Sequence, residues 1–171
     1  MKTLVIYYSR TGENYVNGNI VSIEKGNTEI VAEFIKDAVG ADLFEVKTVK
    51  EYSASYMTCI DEAKKELKSD ARPELVEYLD DISAYDKVVV AGPCWWGTFP
   101  TPVFTQLERL DFSGKTVFPV MTHEGSGLAD SAKSLKKFCK GASVGPGLAI
   151  HGAAAKDSKE LVAKWAKENL T

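Results

Sequence analysis

The sequence lacks the features that mark disulfide-rich, secreted and membrane-spanning proteins. Its three cysteines, Cys59, Cys94 and Cys139, are far apart and form no C-x-x-C pair. An odd and scattered set of this kind argues against a disulfide framework and favours a reducing compartment. No run of about 18 apolar residues is present, and the apolar stretch Thr3 to Tyr8 is too short and too weakly basic in front for a signal peptide. We therefore expect a cytoplasmic protein with no membrane segment.

Charge of one sign is also scarce. The 21 Lys and Arg residues nearly balance the 24 Asp and Glu residues, which gives a formal net charge of −3. Because the basic residues are spread among acidic ones and form no stripe, we expect no nucleic-acid partner. The two histidines, His123 and His151, are far apart, and no Ser-His-Asp, H-E-x-x-H or metal-ligand pattern includes them. The sequence thus predicts no metal site and no catalytic side chain.

What the sequence does contain is an alternation of apolar strands and amphipathic helices, in a chain of 171 residues, a length typical of one domain. Strands are expected at Leu4–Tyr8, Asp42–Val46, Asp86–Pro93, Lys115–Thr122 and within the glycine-rich piece Ser143–Gly152. Helices are expected at Ile30–Ala38, Thr58–Ser69, Pro102–Leu110, Leu128–Phe138 and Lys156–Asn169, with a further helical start at Pro73–Glu74. This order predicts an α/β fold with one parallel sheet covered on both faces. Ligands of such sheets bind beyond the carboxyl ends of the strands, so the candidate site lies in the loops after the first, third and fourth strands.

The first of these loops carries Ser, Thr and Gly and leads into a helix, but a foreign passage divides it. Its two parts, Ser9–Gly12 and Asn27–Thr28, flank the passage Glu13–Gly26. The unpaired amide groups and the positive end of a helix would suit a phosphate at such a loop. A capped turn that binds nothing has the same residues, so both interpretations stay open at this point.

The passage Glu13–Gly26 contains a folding signal of its own. Asn17-Gly18 lies between two apolar pairs, Tyr15-Val16 and Ile20-Val21. Asn and Gly both tolerate the positive φ that a type I′ turn requires. We therefore expect a small hairpin that serves as a flap.

The second loop is GPCWWGTFP, from Gly92 to Pro100. Neighbouring side chains of an extended segment point in opposite directions, so Trp95 and Trp96 cannot both continue into the core. An aromatic wall here would suit a planar ligand. The alternative is that the two rings cap the sheet, one buried and one at a partner interface. Cys94 suits a small filler better than a redox thiol.

The third loop is THEGSGLADS, from Thr122 to Ser131. Gly125 and Gly127 permit the backbone to approach a ligand closely, and Ser126 offers a hydroxyl near the next helix. An ordinary tight loop has the same composition. The loop is a candidate because of its place in the predicted sheet.

Together, SRTG and GNTE around the passage, the loop GPCWWGTFP and the loop THEGSG make the chain resemble the flavodoxin family over nearly its whole length, in particular members with a P-x-W-W-G-T-x-P middle loop. The segments ARPEL, YDKVVVAGP and DFSGKTVFPVMT agree with this resemblance. It implies a three-layer α/β/α sandwich, a five-stranded parallel sheet of order 2-1-3-4-5, bound FMN and electron transfer. The passage Glu13–Gly26 departs from the family pattern, because its removal would join SRTG directly to NTEIVAEF.

The resemblance also implies which residues hold FMN. Those implied for the phosphate are Ser9, Arg10, Thr11, Gly12, Asn14, Asn27 and Thr28. Those implied for the isoalloxazine ring are Pro93, Cys94, Trp95, Trp96, Gly97, Thr122, His123, Glu124, Gly125, Ser126 and Gly127, with the stacking tryptophan left open. Glu13 is excluded, because a carboxylate about 4 Å from a phosphate costs on the order of 4 kcal/mol per unit pair at an effective dielectric of about 20.

Three functions follow from these residues. The resemblance implies an FMN-binding electron carrier that works between redox protein partners, as a monomer or weak dimer. An FMN-dependent NAD(P)H:quinone or flavin reductase is the alternative, since related folds catalyse such reactions and the protein is only mildly acidic. A flavin-free regulatory domain would need an acidic cluster after the first strand, where this chain has Ser9, Arg10 and Thr11.

Overall fold

A computed structural model describes residues 2–171. In chain order the elements are β1 (Lys2–Tyr7), β2 (Gly12–Val16), β3 (Asn19–Ile23), α1 (Asn27–Val39), β4 (Asp42–Glu45), α2 (Tyr56–Lys68), β5 (Tyr85–Pro93), α3 (Thr101–Leu107), β6 (Thr116–His123), α4 (Ser131–Phe138), β7 (Ser143–Val144), β8 (Leu148–His151), a 3₁₀ helix (Gly152–Asp157) and α5 (Lys159–Leu170). Of the helices in this range, none is long and apolar enough to cross a membrane.

The main sheet has six strands in the order β4-β1-β5-β6-β7, with β8 also paired to β6. Every pairing in it is parallel. The predicted α/β class is therefore confirmed, whereas the predicted count of five strands is wrong. The difference lies in the last position, where β7 pairs with the beginning of β6 and β8 pairs with its end.

The segment Gly145-Pro146-Gly147 explains why this last strand is broken in two. Pro146 has no N–H to donate to a strand ladder. A Cβ on Gly145 would lie 2.4 Å from Cε1 of Phe118, so any other residue at this point would force the Phe118 ring or the chain to move. Gly145 permits the close approach to β6, and Pro146 then interrupts the hydrogen-bond ladder between β7 and β8.

Alternating residues of the central strands fill two cores. Leu4 and Ile6 of β1 face the cluster that α2, α3 and α4 cover, while Val5 and Tyr7 face the cluster that α1 and α5 cover. Because successive side chains of a strand point to opposite faces, an apolar run of this kind is buried on both sides. The result is a sheet between two layers of helices.

Most helix and strand boundaries lie close to the predicted ones, but one predicted helix does not form. The helix predicted to begin at Pro73–Glu74 is wrong, since residues 71–84 contain no helix and are irregular apart from a bend, a turn and an isolated bridge. Val76 N donates to Lys47 O at 2.9 Å, and Val49 N donates to Glu74 O at 2.9 Å. This pairing fixes the segment in an extended form, which overrides the helix-start signal of a proline.

The hairpin predicted within Glu13–Gly26 is confirmed. β2 and β3 pair in antiparallel fashion as a separate two-stranded sheet, and Asn17 and Gly18 form the turn. Their φ values of 54° and 84° are both positive, as a type I′ turn requires.

Candidate functional site

A cavity of about 320 Å³ opens beyond the carboxyl ends of β1, β5 and β6, where the topology of the sheet places a ligand. The predicted site residues that line it are Arg10, Asn14, Asn27, Thr28, Pro93, Cys94, Trp95, Thr122, His123, Glu124, Gly125 and Ser126. The structure therefore brings the three loops together at one cavity. Ser9, Thr11 and Gly12 line a neighbouring cleft, which Arg10 shares. Trp96, Gly97 and Gly127 lie outside the cavity lining.

Three residues of the cavity lining are absent from the prediction, namely Tyr15, Tyr56 and Gly152. Tyr15 belongs to the hairpin, and its ring stacks on that of Tyr56 with centroids 6.0 Å apart and planes 22° apart. The hairpin signal in the sequence gives no indication of this partner, because Tyr56 lies at the start of α2, far along the chain. Gly152 follows β8, whose position was not predicted as part of the site.

The start of α1 lies against the loop that follows β1. Ser9 Oγ accepts a hydrogen bond from the amide of Glu29 at 3.1 Å and thereby caps the first turn of the helix. Gly26 makes the contact so close that a Cβ there would lie 2.0 Å from Ser9 Oγ and 2.8 Å from Arg10 O. Asn27 and Thr28, whose first-turn amides have no acceptor within the helix, line the cavity. The two predicted parts of the loop, Ser9–Gly12 and Asn27–Thr28, thus lie against each other at the start of α1, which faces the cavity.

Arg10 ties three stretches of chain together. Its Nε donates to Glu13 O at 2.8 Å, and its Nη2 donates to Ser53 O at 2.9 Å and to Ala54 O at 3.2 Å. In return, Asn14 Nδ2 donates to Arg10 O at 2.9 Å. The guanidinium group holds the base of the hairpin next to the loop before α2, and its charge lies at the cavity wall.

The two adjacent tryptophans point in opposite directions, as predicted. Trp95 is 8% exposed, packs edge-on against Tyr8 and Tyr52 with centroids 5.2 and 5.1 Å away, and lines the cavity. Trp96 is 48% exposed, and its Nε1–H donates to Ile60 O at 2.8 Å.

A turn produces this opposition. Trp95 N donates to Thr98 O at 2.9 Å, while Trp96 and Gly97 both have positive φ, 58° and 88°. A positive φ is uncommon for a bulky residue, and here it directs the Trp96 ring onto α2. Lys64 Nζ lies 5.0 Å from the centroid of that ring. This cation–π contact also helps to hold the Trp96 ring on α2, outside the cavity.

The third loop connects β6 to the helix start and to the hairpin. Thr122 Oγ1 and Thr28 Oγ1 form a buried hydrogen bond of 2.8 Å. Glu124 Oε2 accepts the amide of Asn17, in the hairpin turn, at 2.9 Å, and it lies 3.9 Å from His151 Nε2. The other oxygen, Glu124 Oε1, is buried without a hydrogen-bond partner among residues 2–171.

His123 lies beside this carboxylate with its ring 5.7 Å from that of His151. Its Nδ1 accepts a hydrogen bond from the amide of Gly125 at 2.9 Å. Burial lowers the pKa of His123, and the neighbouring His151 adds to the effect. The structure therefore favours a neutral His123 at the cavity edge.

The hairpin bridges the cavity from the first loop to the third. At its base, Glu13 Oε1 accepts the amide of Tyr56 at 2.9 Å, and at its tip Asn17 contacts Glu124. Between these ends Tyr15 covers Tyr56. The hairpin expected from the sequence is thus held at both ends by defined contacts, although its strands are mostly exposed.

Comparison with known proteins places these features in context. The profile of the flavodoxin family matches residues 19–169. A crystal structure of a candidate flavoprotein from Bacteroides uniformis ATCC 8492 matches with 29% identity and a TM-score of 0.75, covering 97% of each chain. One from Bacteroides eggerthii DSM 20697 matches with 25% identity and a TM-score of 0.77, covering 99% of this chain and 98% of that one.

A more distant likeness shows the fold alone. The flavoprotein of Lactobacillus acidophilus NCFM, crystallised in complex with FMN, has 22% identity and a TM-score of 0.63, over 93% of this chain and 98% of that one. No curated protein matches the chain.

Substitution of Gly26 tests the close contact between the β1 loop and α1. We expect Gly26→Ala to lower the free energy of unfolding by about 1–3 kcal/mol, because its Cβ would overlap Ser9 Oγ. Urea-induced unfolding followed by circular dichroism measures the change. Glu24→Ala is the matched control, since Glu24 is exposed and its substitution should change stability by no more than about 0.5 kcal/mol. Equal stability of the two variants would contradict the expectation.

Because the pKa of His123 is lowered in the folded protein, the stability of the protein should depend on pH. The unfolded chain binds the proton more tightly than the folded one, so the free energy of unfolding should fall as the pH decreases below about 6.5, the ordinary histidine pKa. In His123→Gln this part of the pH dependence should disappear. Urea titrations of both proteins across that range measure it, and identical slopes would show that His123 does not contribute.

Proposed function

Because the chain belongs to the flavodoxin family, we propose that it binds FMN and transfers electrons between redox partners. The observation that carries this proposal is the single cavity at the carboxyl ends of β1, β5 and β6, which joins a helix start, an aromatic wall and a polar loop. A helix start suits a phosphate, an aromatic wall suits a planar ring, and a polar loop suits the polar edge of that ring. The FMN complex of the Lactobacillus acidophilus flavoprotein supports the choice of cofactor.

The residues at the start of α1 suit a phosphate. Asn27 and Thr28 present first-turn amides, and the positive end of the helix dipole adds an attraction for an anion. Arg10 contributes a positive charge at the same wall. We assign the phosphate to this place, with Ser9, Thr11 and Gly12 forming the loop behind it, and Asn14 as a further contact.

The second and third loops suit the isoalloxazine ring. Trp95 presents an aromatic surface in the cavity, whereas Trp96 is held on α2, so we assign the ring contact to Trp95. Pro93 and Cys94 would contribute backbone groups, and the segment from Thr122 to Gly127 would follow the other edge. When bound, FMN supplies one-electron and two-electron chemistry at this ring. The task of the chain is then to orient the ring, exclude water from its buried side and set its electrostatic surroundings.

The partners and the cellular compartment belong to the same proposal. We expect redox proteins as partners, since a carrier must expose one edge of its cofactor to a donor and an acceptor. The three cysteines are all free, and Cys59 and Cys139 are buried, which agrees with a reducing compartment such as the cytoplasm.

The choice between the two tryptophans has a direct test. Trp95→Phe should weaken FMN binding by about threefold to tenfold, because a smaller ring offers less stacking surface. Trp96→Phe is the matched control, and it should leave the affinity unchanged because its ring lies outside the cavity. Titration of each cofactor-free variant with FMN, followed by flavin fluorescence, measures both affinities. A larger loss in Trp96→Phe would reverse the assignment.

The function itself is tested with the purified protein. We expect a yellow protein whose cofactor-free form takes up FMN at least about tenfold more tightly than riboflavin, because charge-assisted contacts to the phosphate contribute about 1.5 kcal/mol or more. Reductive titration should reduce the bound flavin, while NAD(P)H alone should not. Rapid NAD(P)H oxidation with a quinone would favour the reductase instead. A colourless protein that takes up no FMN would favour a flavin-free domain.

A further inference from the structure

The tip and the base of the hairpin are held by different contacts. At the tip, the amide of Asn17 donates to Glu124 Oε2 in the third loop at 2.9 Å. At the base, Glu13 Oε1 accepts the amide of Tyr56 at 2.9 Å, and Glu13 O accepts from Arg10 Nε at 2.8 Å. Loss of the Glu124 contact would therefore release the tip and leave the base in place.

The position of Glu124 depends on its two neighbours in the sequence. His123 Nδ1 accepts a hydrogen bond from the amide of Gly125 at 2.9 Å, which closes a turn around Glu124. Gly125 has a φ of 144°, a value that residues with a side chain rarely adopt. The direction in which the Glu124 side chain leaves the backbone is thus set by the bond between His123 and Gly125.

This bond requires a neutral imidazole. A neutral ring that accepts at Nδ1 carries its hydrogen on Nε2, so Nδ1 is the nitrogen that takes up a second proton. A protonated Nδ1 is a donor, and in the closed turn it would face the N–H of Gly125, another donor. Protonation of His123 and the closed turn therefore exclude each other.

The groups around the His123 ring include one neighbour of each charge. His151 of β8 has its ring 5.7 Å away, and Glu124 is the adjacent carboxylate. Burial and His151 lower the pKa of His123, whereas the smaller effect of Glu124 raises it. Arg10 of the first loop and Tyr56 of α2 line the same cavity, and burial raises the pKa of Tyr56, which keeps it neutral. A charged His151 would compete for Glu124 Oε2, the oxygen that holds the hairpin, from 3.9 Å away.

We propose that His123 is a pH-sensitive latch of the hairpin. The neutral ring closes the turn with Gly125 and keeps Glu124 in the position that holds Asn17, and the protonated ring opens that turn and releases the tip. The closed form cannot accept the proton at Nδ1, so it binds a proton less tightly than the open form does. A fall in pH therefore favours the open form.

The latch controls access to the cavity from the side of the hairpin. Asn14 and Tyr15 of β2 line the cavity, so a movement of the hairpin tip changes how far it is covered. The latch itself does not depend on which ligand the cavity binds. Its effect on the release of FMN rests on the proposed function.

The first experiment follows the full chain without cofactor by NMR while the pH is lowered from about 8 to about 5. The amide signals of Gly125 and Asn17 should shift together as each loses its acceptor, with a common midpoint below about 6.5, the ordinary histidine pKa. The amide of Gly40, which donates to Lys36 O at the other end of α1, is the internal reference and should not shift. An Asn17 signal that does not titrate would overturn the proposal.

Two substitutions separate the acceptor of His123 from its charge. Asparagine does not titrate, and its side-chain oxygen can close the same turn by accepting the N–H two residues on. The Asn17 amide of His123→Asn should therefore stay in the closed form over the whole pH range. His123→Ala has no acceptor, so its Asn17 amide should resemble the acid form throughout and exchange its hydrogen about fivefold faster than in His123→Asn. A titration of Asn17 that persists in His123→Asn would show that another group drives it.

His151→Gln is the matched control for the second histidine. It removes a neighbouring positive charge, so the Asn17 titration should remain while its midpoint moves up toward the ordinary histidine pKa. Loss of the titration in this variant would assign the latch to His151 and overturn the role of His123.

The last experiment measures the effect on the cofactor. The increase in the dissociation rate of FMN between about pH 8 and about pH 5.5 should be at least about threefold larger in the wild type than in His123→Asn, because only the wild type releases the hairpin. The FMN phosphate titrates in both proteins, so this comparison cancels its contribution. A wild type that binds no FMN would overturn the proposed function, while the NMR titrations would still decide the latch. Equal pH dependence in the two proteins would overturn the control of the cavity by the latch.

Discussion

The parallel register of β1, β5 and β6 is the constraint on which the site depends. Tyr7 lies opposite Ala91, Pro93 lies opposite Thr122, and His123 lies opposite His151. The three loops therefore leave the same edge of the sheet, with the ends of β1 and β5 only two residues apart in register. A shift of one residue in any of these pairings would move every side chain of the shifted strand to the opposite face of the sheet.

The sequence predicted this part of the molecule well because its signals are local. Apolar runs specify the strands, and Asn17-Gly18 specifies the turn of the hairpin. The signals that failed were overridden by contacts between distant segments. The extended partner at Lys47 to Val49 determines the conformation after Pro73, and the side chain of Phe118 determines the break at Gly145. No local pattern contains either contact.

Within the site, residue types were easier to predict than their partners. Ser9 has the hydroxyl expected of an anion-binding loop, yet the structure uses that hydroxyl to cap α1. Strand alternation predicted that Trp95 and Trp96 point in opposite directions, whereas in the structure a turn with positive φ at Trp96 produces this opposition. Tyr56 enters the site only because the hairpin folds over α2, and such a juxtaposition requires the tertiary structure.

Arg10 both holds the loops together and places a positive charge at the cavity. Its guanidinium donates to the carbonyl oxygens of Glu13, Ser53 and Ala54, and no salt bridge among residues 2–171 includes it. Carbonyl oxygens accept hydrogen bonds from its Nε and Nη2 without cancelling its charge. The positive charge of Arg10 is thus paired with no carboxylate of residues 2–171, although Glu124 lines the same cavity, and the hydrogen bonds of its Nε and Nη2 can persist while that charge attracts an anion.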